Sequence, residues 1–306
     1  YADNIFAAPV VDEIAQRKRD SLQYINTRLA ILRGTVFSHT VNPHLADSAR
    51  STNAIHHSSR KYTYGTEDLH YYFYYKPYEE GGPFVGTEEI ACSNGQVLKA
   101  PVWNIDKTQS FFQQIFVEGE SRTTQAGIDG MEQLENPKTT ITNVAVPDYN
   151  PWYKKISGKS FVQIAPTTAA VMPSATFYLP EVLSNIPYDI YVVMLPATAS
   201  DTAATDIQKL PTRIRFTLGY QDQKGGKKEE VLQSQMATTG GDVIDTLLVG
   251  SNVVIPTCSF GLDEPQVTLE VENRVSTSQN NKTFTRTMRL DCIILKPHEE
   301  GLTSNN

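Results

Sequence analysis

The 306-residue sequence predicts an α+β N-terminal region followed by an all-β jelly-roll sandwich, on three observations. Apolar residues recur at helical spacing only near the start of the chain. Beyond Asp106 the text breaks into short alternating or apolar runs separated by Pro, Gly, Asn and Asp, which suits sandwich strands. The length sets a prior of about two domains at roughly 150 residues each. We divide the chain into regions 1–105 and 106–306.

In the first region Val10, Ile14, Leu22, Ile25, Leu29 and Leu32 lie three, four, seven or eight apart, the apolar stripe of a helix. Gly34 punctuates it. The charge-rich stretch 16–20 is a solvated helix face. Residues 42–60 are polar and lead into an aromatic run from Tyr62 to Tyr78, whose alternation places half of its rings on each side of a sheet. Asn94-Gly95 opens a short strand over 96–102. In the second region the strand candidates are 114–119, 160–165, 175–179, 188–195, 212–220, 245–249, 266–275 and 283–296. Within 266–275, Val267, Leu269 and Val271 alternate with Thr268, Glu270 and Glu272, so one face of that strand is wet. Eight such strands fit a jelly roll.

Composition narrows the function classes. With 27 basic and 34 acidic residues the net charge is −7, and no Lys/Arg run is present to neutralise phosphates. No nucleic-acid partner is expected. No window reaches the about 18 apolar residues that span a bilayer, so the chain itself is expected to be soluble. The chain opens on Tyr1, and a targeting segment is expected to have been removed or to lie outside it. Cys92, Cys258 and Cys292 show no CxxC spacing and read as buried thiols, with a Cys258–Cys292 bridge left open. There is no Gly-x-Ser-x-Gly elbow, no His-Glu-x-x-His helix and no phosphate-cradling loop, so no enzyme is expected. A glycoside hydrolase is the remaining catalytic alternative, since its two carboxylates are set by fold rather than spacing. Glu79-Glu80 and Glu88-Glu89 read as exposed pairs in loops. His44, His56 and His57 read as solvated histidines of a loop or as a metal cluster.

The second region carries a set of short motifs in order: Val117-Glu118-Gly119-Glu120, then Phe177-Tyr178-Leu179-Pro180, Tyr188-Asp189-Ile190-Tyr191-Val192 and finally Leu290-Asp291-Cys292-Ile293-Ile294-Leu295. Together they resemble the galactose-binding-like jelly rolls that serve as carbohydrate-binding modules. In the first region Ile5-Phe6-Ala7-Ala8-Pro9, the stretch 32–41 with His39, and Asn94-Gly95-Gln96-Val97 resemble a partial or diverged fasciclin-type domain. As a pair, the regions are similar to surface lipoproteins that accompany glycan-uptake porins in Gram-negative bacteria. That resemblance implies an outer-membrane lipoprotein at the cell surface that binds glycan or assists a porin and lipoprotein complex. The alternative is a structural or adhesive subunit making only protein contacts.

Two sets of residues could carry the chemistry. Glu118 and Glu120 lie two apart on a strand and share a face, and antiparallel closure brings Asp291 near. Gathered carboxylates suit a structural calcium ion, which the resemblance also implies at these positions; a solvated carboxylate face is the alternative. Sugar recognition needs flat rings for the apolar side of a pyranose, flanked by polar groups for its hydroxyls. Tyr149, Asn150, Trp152 and Tyr153, with Trp103, are the candidate ligand residues. The alternative for Trp152 is a plug at the sandwich rim.

Overall fold

The computed structural model describes residues 78–102, 114–120, 139–179, 182–258 and 267–298. It also describes short pieces nearer the start: 12–14, 17, 21, 24–25, and the backbone of 37–38, 55–57 and 72–74. Its strands are β1 (Phe37–Ser38), β2 (Ile55–His57), β3 (Tyr72–Tyr74), β4 (Glu88–Cys92), β5 (Gly95–Lys99), β6 (Ile115–Glu118), β7 (Thr139–Ala145), β8 (Ser160–Pro166), β9 (Ser174–Tyr178), β10 (Pro187–Met194), β11 (Arg213–Gln221), β12 (Lys227–Ala237), β13 (Asp245–Val254), β14 (Thr268–Asn273) and β15 (Met288–Pro297). The chain divides into two compact units. One holds Tyr1–Tyr24, Tyr64–Glu67 and Gln114–Asn306; the other holds Ile25–Thr63 and Asp68–Gln113.

The unit containing residues 114–306 is mostly β-sandwich. One sheet runs β13-β10-β15-β8-β7, with β6 also paired to β15; the other runs β12-β11-β14-β9. All of these pairings are antiparallel. The alternation read in 266–275 is realised in β14, where Leu269, Val271 and Asn273 are buried while Thr268, Glu270 and Glu272 are half-buried. Phe177, Phe216, Leu218, Ile190, Val192, Ile293 and Leu295 have no exposed surface. Each such side chain contributes roughly 1.5–3 kcal/mol by leaving water.

One architectural detail positions the site. On one edge, β15 is paired along its length with β10. On its other edge, Met288–Leu290 pair with Ile164–Val162 of β8, whereas Cys292–Leu295 pair with Glu118–Ile115 of β6. The partner changes at Asp291. Gly119 N–H donates to the Asp291 carbonyl at 2.8 Å, closing the gap. A Cβ on Gly119 would stand 2.7 Å from the Leu290 carbonyl oxygen and 2.9 Å from that of Asp291, so the close approach requires glycine.

Several expectations change. The sandwich has ten strands rather than eight, because β7 and β12 join it as the terminal strands of the two sheets. β12 opens with Lys227–Glu230, charged and exposed on both faces, and is at most half-buried beyond them, so it has no alternation to read. The strand expected over 283–296 begins only at Met288. Cys92 is an exposed thiol in β4 rather than a buried one, and Cys258 and Cys292 are buried, with no disulfide between them. Glu88 and Glu89 are exposed as expected but lie on β4, where Lys99 Nζ stands 3.7 Å from Glu88. Of the helix expected near the start, Glu13, Ile14, Arg17, Ser21, Tyr24 and Ile25 are helical, and the rest lies outside the described residues. So do His39, His44 and most of the aromatic run, which leaves the α+β character of the first region as an expectation. His56 and His57 lie on β2. Among the described residues no helix is long and apolar enough to cross a membrane.

Candidate functional site

The change of partner along β15 gathers three carboxylates in one place. Glu118 ends β6, Glu120 follows it, and Asp291 sits where β15 leaves β8. Glu118 is 8% and Asp291 3% exposed, so this is not a solvated face. The turn before β8 supplies their partners: Ser157 hydroxyl donates to Glu118, Ser160 hydroxyl to Glu120, and Ser157 N–H to Asp291 at 3.3 Å. Gly158 in that turn has φ of 55°, and a Cβ there would lie 2.9 Å from a Glu120 oxygen. Burial pushes the Asp291 carboxyl up to about 8, with Glu118 and Glu120 adding to it against the Ser157 N–H and Lys159. Burial raises Glu120 as well, and it pushes the neighbouring Cys292 thiol far up.

These residues can be tested against a calcium ion. Asp291 Oδ1 and Glu120 Oε2 are buried oxygens with no hydrogen-bond partner, and an anionic cluster in this setting needs a countercharge. Hard oxygen donors of this kind suit Ca²⁺. On the other side, among the described residues no three His, Cys, Asp or Glu side chains stand in ligand geometry. Glu118 and Glu120 each accept from a serine hydroxyl instead. Carboxylate oxygens are a donor type that Ca²⁺ takes, but as they stand the three groups do not form a ligand set.

The aromatic segment lies in the turns between β7 and β8. Asn150 is buried, and its amide donates to the carbonyls of Thr198 at 3.1 Å and Ala199 at 3.3 Å while its oxygen accepts from Trp152 N–H at 2.9 Å. Its hydrogen-bonding capacity is used inside the fold, pinning the segment to the turn at Ala197–Ala199. Trp152 is half-buried, its indole N–H donates to the Thr198 hydroxyl at 2.9 Å, and Lys155 Nζ stands 4.9 Å from its ring centroid. Trp152 and Tyr153 pack on a cluster of Val146, Ile156, Phe161, Leu195 and Ala199. Trp152 thus plugs the rim. Tyr149 is 80% exposed and is the free ring of the set. Trp103 lies outside the described residues.

The fold also assembles features that spacing did not reveal. Phe116, Ile294, Tyr191 and Leu248 are cross-strand partners in a row over β6, β15, β10 and β13, so their side chains share one face. Asp189, His298 and Ser251 meet as well. Asp189 is the hub, with one oxygen 2.8 Å from His298 Nδ1 and the other accepting from Ser251 hydroxyl at 2.8 Å and Asn252 N–H at 3.0 Å. A nucleophilic triad needs the serine hydroxyl on the imidazole, whereas here it donates to the carboxylate. These bonds tie β10, β13 and the residue after β15 together and, against the upward push of burial, hold Asp189 below the usual carboxylate range.

Comparison with solved structures finds carbohydrate-binding modules among the matches, all at low identity and low TM-score. The CBM22-1 xylan-binding domain from Paenibacillus barcinonensis is similar over 53% of this chain and 83% of that one, at 11% identity and a TM-score of 0.28. The C-terminal family 22 module from Clostridium thermocellum matches over 54% and 88%, at 16% identity and a TM-score of 0.30. A family 11 module from Clostridium thermocellum, solved with a β-1,3-1,4-mixed-linked tetrasaccharide, matches over 63% and 94%, at 10% identity and a TM-score of 0.25. No family model and no curated protein matches the sequence.

Proposed function

We propose that this chain is a non-catalytic glycan-binding protein whose contact surface is the rim segment 149–153. The observation that carries the reading is the exposed ring of Tyr149 on a segment held by three hydrogen bonds from and to Asn150. A ring fixed in advance stacks on a pyranose without ordering a loop at the moment of binding, which favours affinity. Lys154 and Lys155 beside it supply donors for sugar hydroxyls. Glu118, Glu120 and Asp291 would hold calcium, which supplies positive charge to the cluster and fixes the turn from Ser157 to Ser160 against β6.

A lipid-anchored place at the outer surface, beside a porin and lipoprotein complex, completes the proposal and is supported by the sequence resemblance. Calorimetry and a glycan array with the intact chain test the core of it. Binding that is lost in Tyr149→Ala, with folding unchanged, supports the reading. Absence of any carbohydrate binding, with a protein partner captured at this same surface, supports the structural or adhesive alternative and overturns it.

A further inference from the structure

At the end of the sandwich where the loops β10–β11 and β12–β13 meet the start of β15, a small cleft opens to solvent, and Arg289 lines it. Arg289 is only 9% exposed. Its Nε donates to Ser200 hydroxyl at 2.8 Å, and its two terminal nitrogens make no hydrogen bond among the described residues. Burial lowers its pKa to about 10, with no carboxylate offsetting the loss of water. Buried guanidinium groups are ordinarily paired.

The other groups on the cleft explain what would pair with it. Thr212 hydroxyl accepts from Asn273 amide, Thr238 hydroxyl accepts from Thr212 N–H, and Thr285 hydroxyl accepts from Thr287 N–H. Each therefore already accepts a hydrogen bond and keeps its own O–H to donate. The acidic group on the cleft is engaged elsewhere, since Asp245 accepts from both the N–H and the hydroxyl of Thr239. Lys209 adds a second positive charge to the lining and reaches Asp242 at 3.9 Å. The cleft thus offers donors around a buried fixed cation, a match for a planar oxyanion.

We propose that Arg289 and these threonines receive the carboxylate of an acidic sugar residue, a uronate, within a bound glycan. The inference rests on the glycan-binding reading and deepens it, because both places share one turn. Thr198 and Ala199 hold Asn150 and Trp152, and the next residue, Ser200, holds Arg289. A glycan stacked on Tyr149 that crosses this turn brings a neighbouring unit to the cleft.

The test is calorimetry with the intact chain on three probes: a xylo-oligosaccharide, the same oligosaccharide carrying one glucuronate branch, and free glucuronate. A charge-assisted pair in this setting predicts at least tenfold tighter binding of the branched oligosaccharide, weak binding of free glucuronate, and loss of the preference in Arg289→Met. Tyr149→Ala should weaken both oligosaccharides alike. Equal binding of the two oligosaccharides overturns the proposal and leaves the glycan reading standing, whereas no binding of either overturns both. Arg289-dependent binding of phosphate or of a peptide carboxylate, without uronate preference, overturns the assignment to a sugar. If Arg289→Met fails to fold, the wild-type Arg289 Nε–H resonance decides: it should shift on titration with the branched oligosaccharide alone, and an unmoved resonance overturns the proposal.

Discussion

Removing charge from the carboxylate cluster is the sharpest test of its chemistry. In the chelator-treated protein, Asp291 ionises near pH 8 against an ordinary 3.8, so the fold resists its ionisation by ~6 kcal/mol. The folded value lies above the unfolded one. This contribution to stability is therefore whole below about pH 4 and is lost as pH rises to 8, at up to ~1.4 kcal/mol per pH unit. Glu120, also raised by burial, acts in the same direction, while Asp189, which is lowered, acts in the opposite one as pH falls. Urea unfolding at pH 5, 6.5 and 8 with chelator should show stability falling over this window, and Asp291→Asn should flatten most of the fall. Calcium at millimolar concentration should restore wild-type stability at pH 8 and do little for the variant. Equal slopes in the two proteins would refute the reasoning, because the cluster would then be hydrated and its charges uncoupled from the fold.

Three further predictions follow from packing and exposure. Trp152→Ala should destabilise by ~2–3 kcal/mol in urea unfolding, since it opens the rim cluster and orphans Thr198, whereas Tyr149→Ala should fall within about 0.5 kcal/mol of wild type. Gly119→Ala should lower stability by more than ~2 kcal/mol, because its Cβ meets backbone oxygens that cannot turn aside; wild-type stability in that variant would show that β6 and β15 separate freely. A thiol reagent should modify Cys92 in the native protein and reach Cys258 and Cys292 only after unfolding, as read by mass spectrometry.

What could be read in the sequence followed from alternation. Strands β8, β9, β10, β11 and β14 bury one or both faces, and their apolar residues recur every second position or without a break. β12 at a sheet edge pairs with β11 alone and presents charges on both faces, so burial leaves little trace in its text. The convergence of Glu118, Glu120 and Asp291 was legible because strand pairing sets it. Their burial was not, since it depends on the Ser157–Ser160 turn closing over them from a place in the chain with no apolar signal. Asn150 shows the same limit: a polar residue beside two aromatic rings reads as a ligand contact, and only the fold shows its amide spent on two backbone carbonyls.

Arg289 marks where sequence reading stops altogether. It lies in a strand whose neighbours Met288 and Leu290 are core, and a lone arginine there gives no hint that its head group is enclosed. Arg286, three residues earlier, is buried too, yet its guanidinium donates to the Val275 carbonyl, the Ala169 carbonyl and the Thr277 hydroxyl. One arginine is thus consumed by the backbone, and the other keeps its terminal donors toward a cleft. Burial alone therefore does not mark a binding group in this fold; the inventory of unspent donors does, and that inventory separates Arg289 from Arg286 and Tyr149 from Asn150.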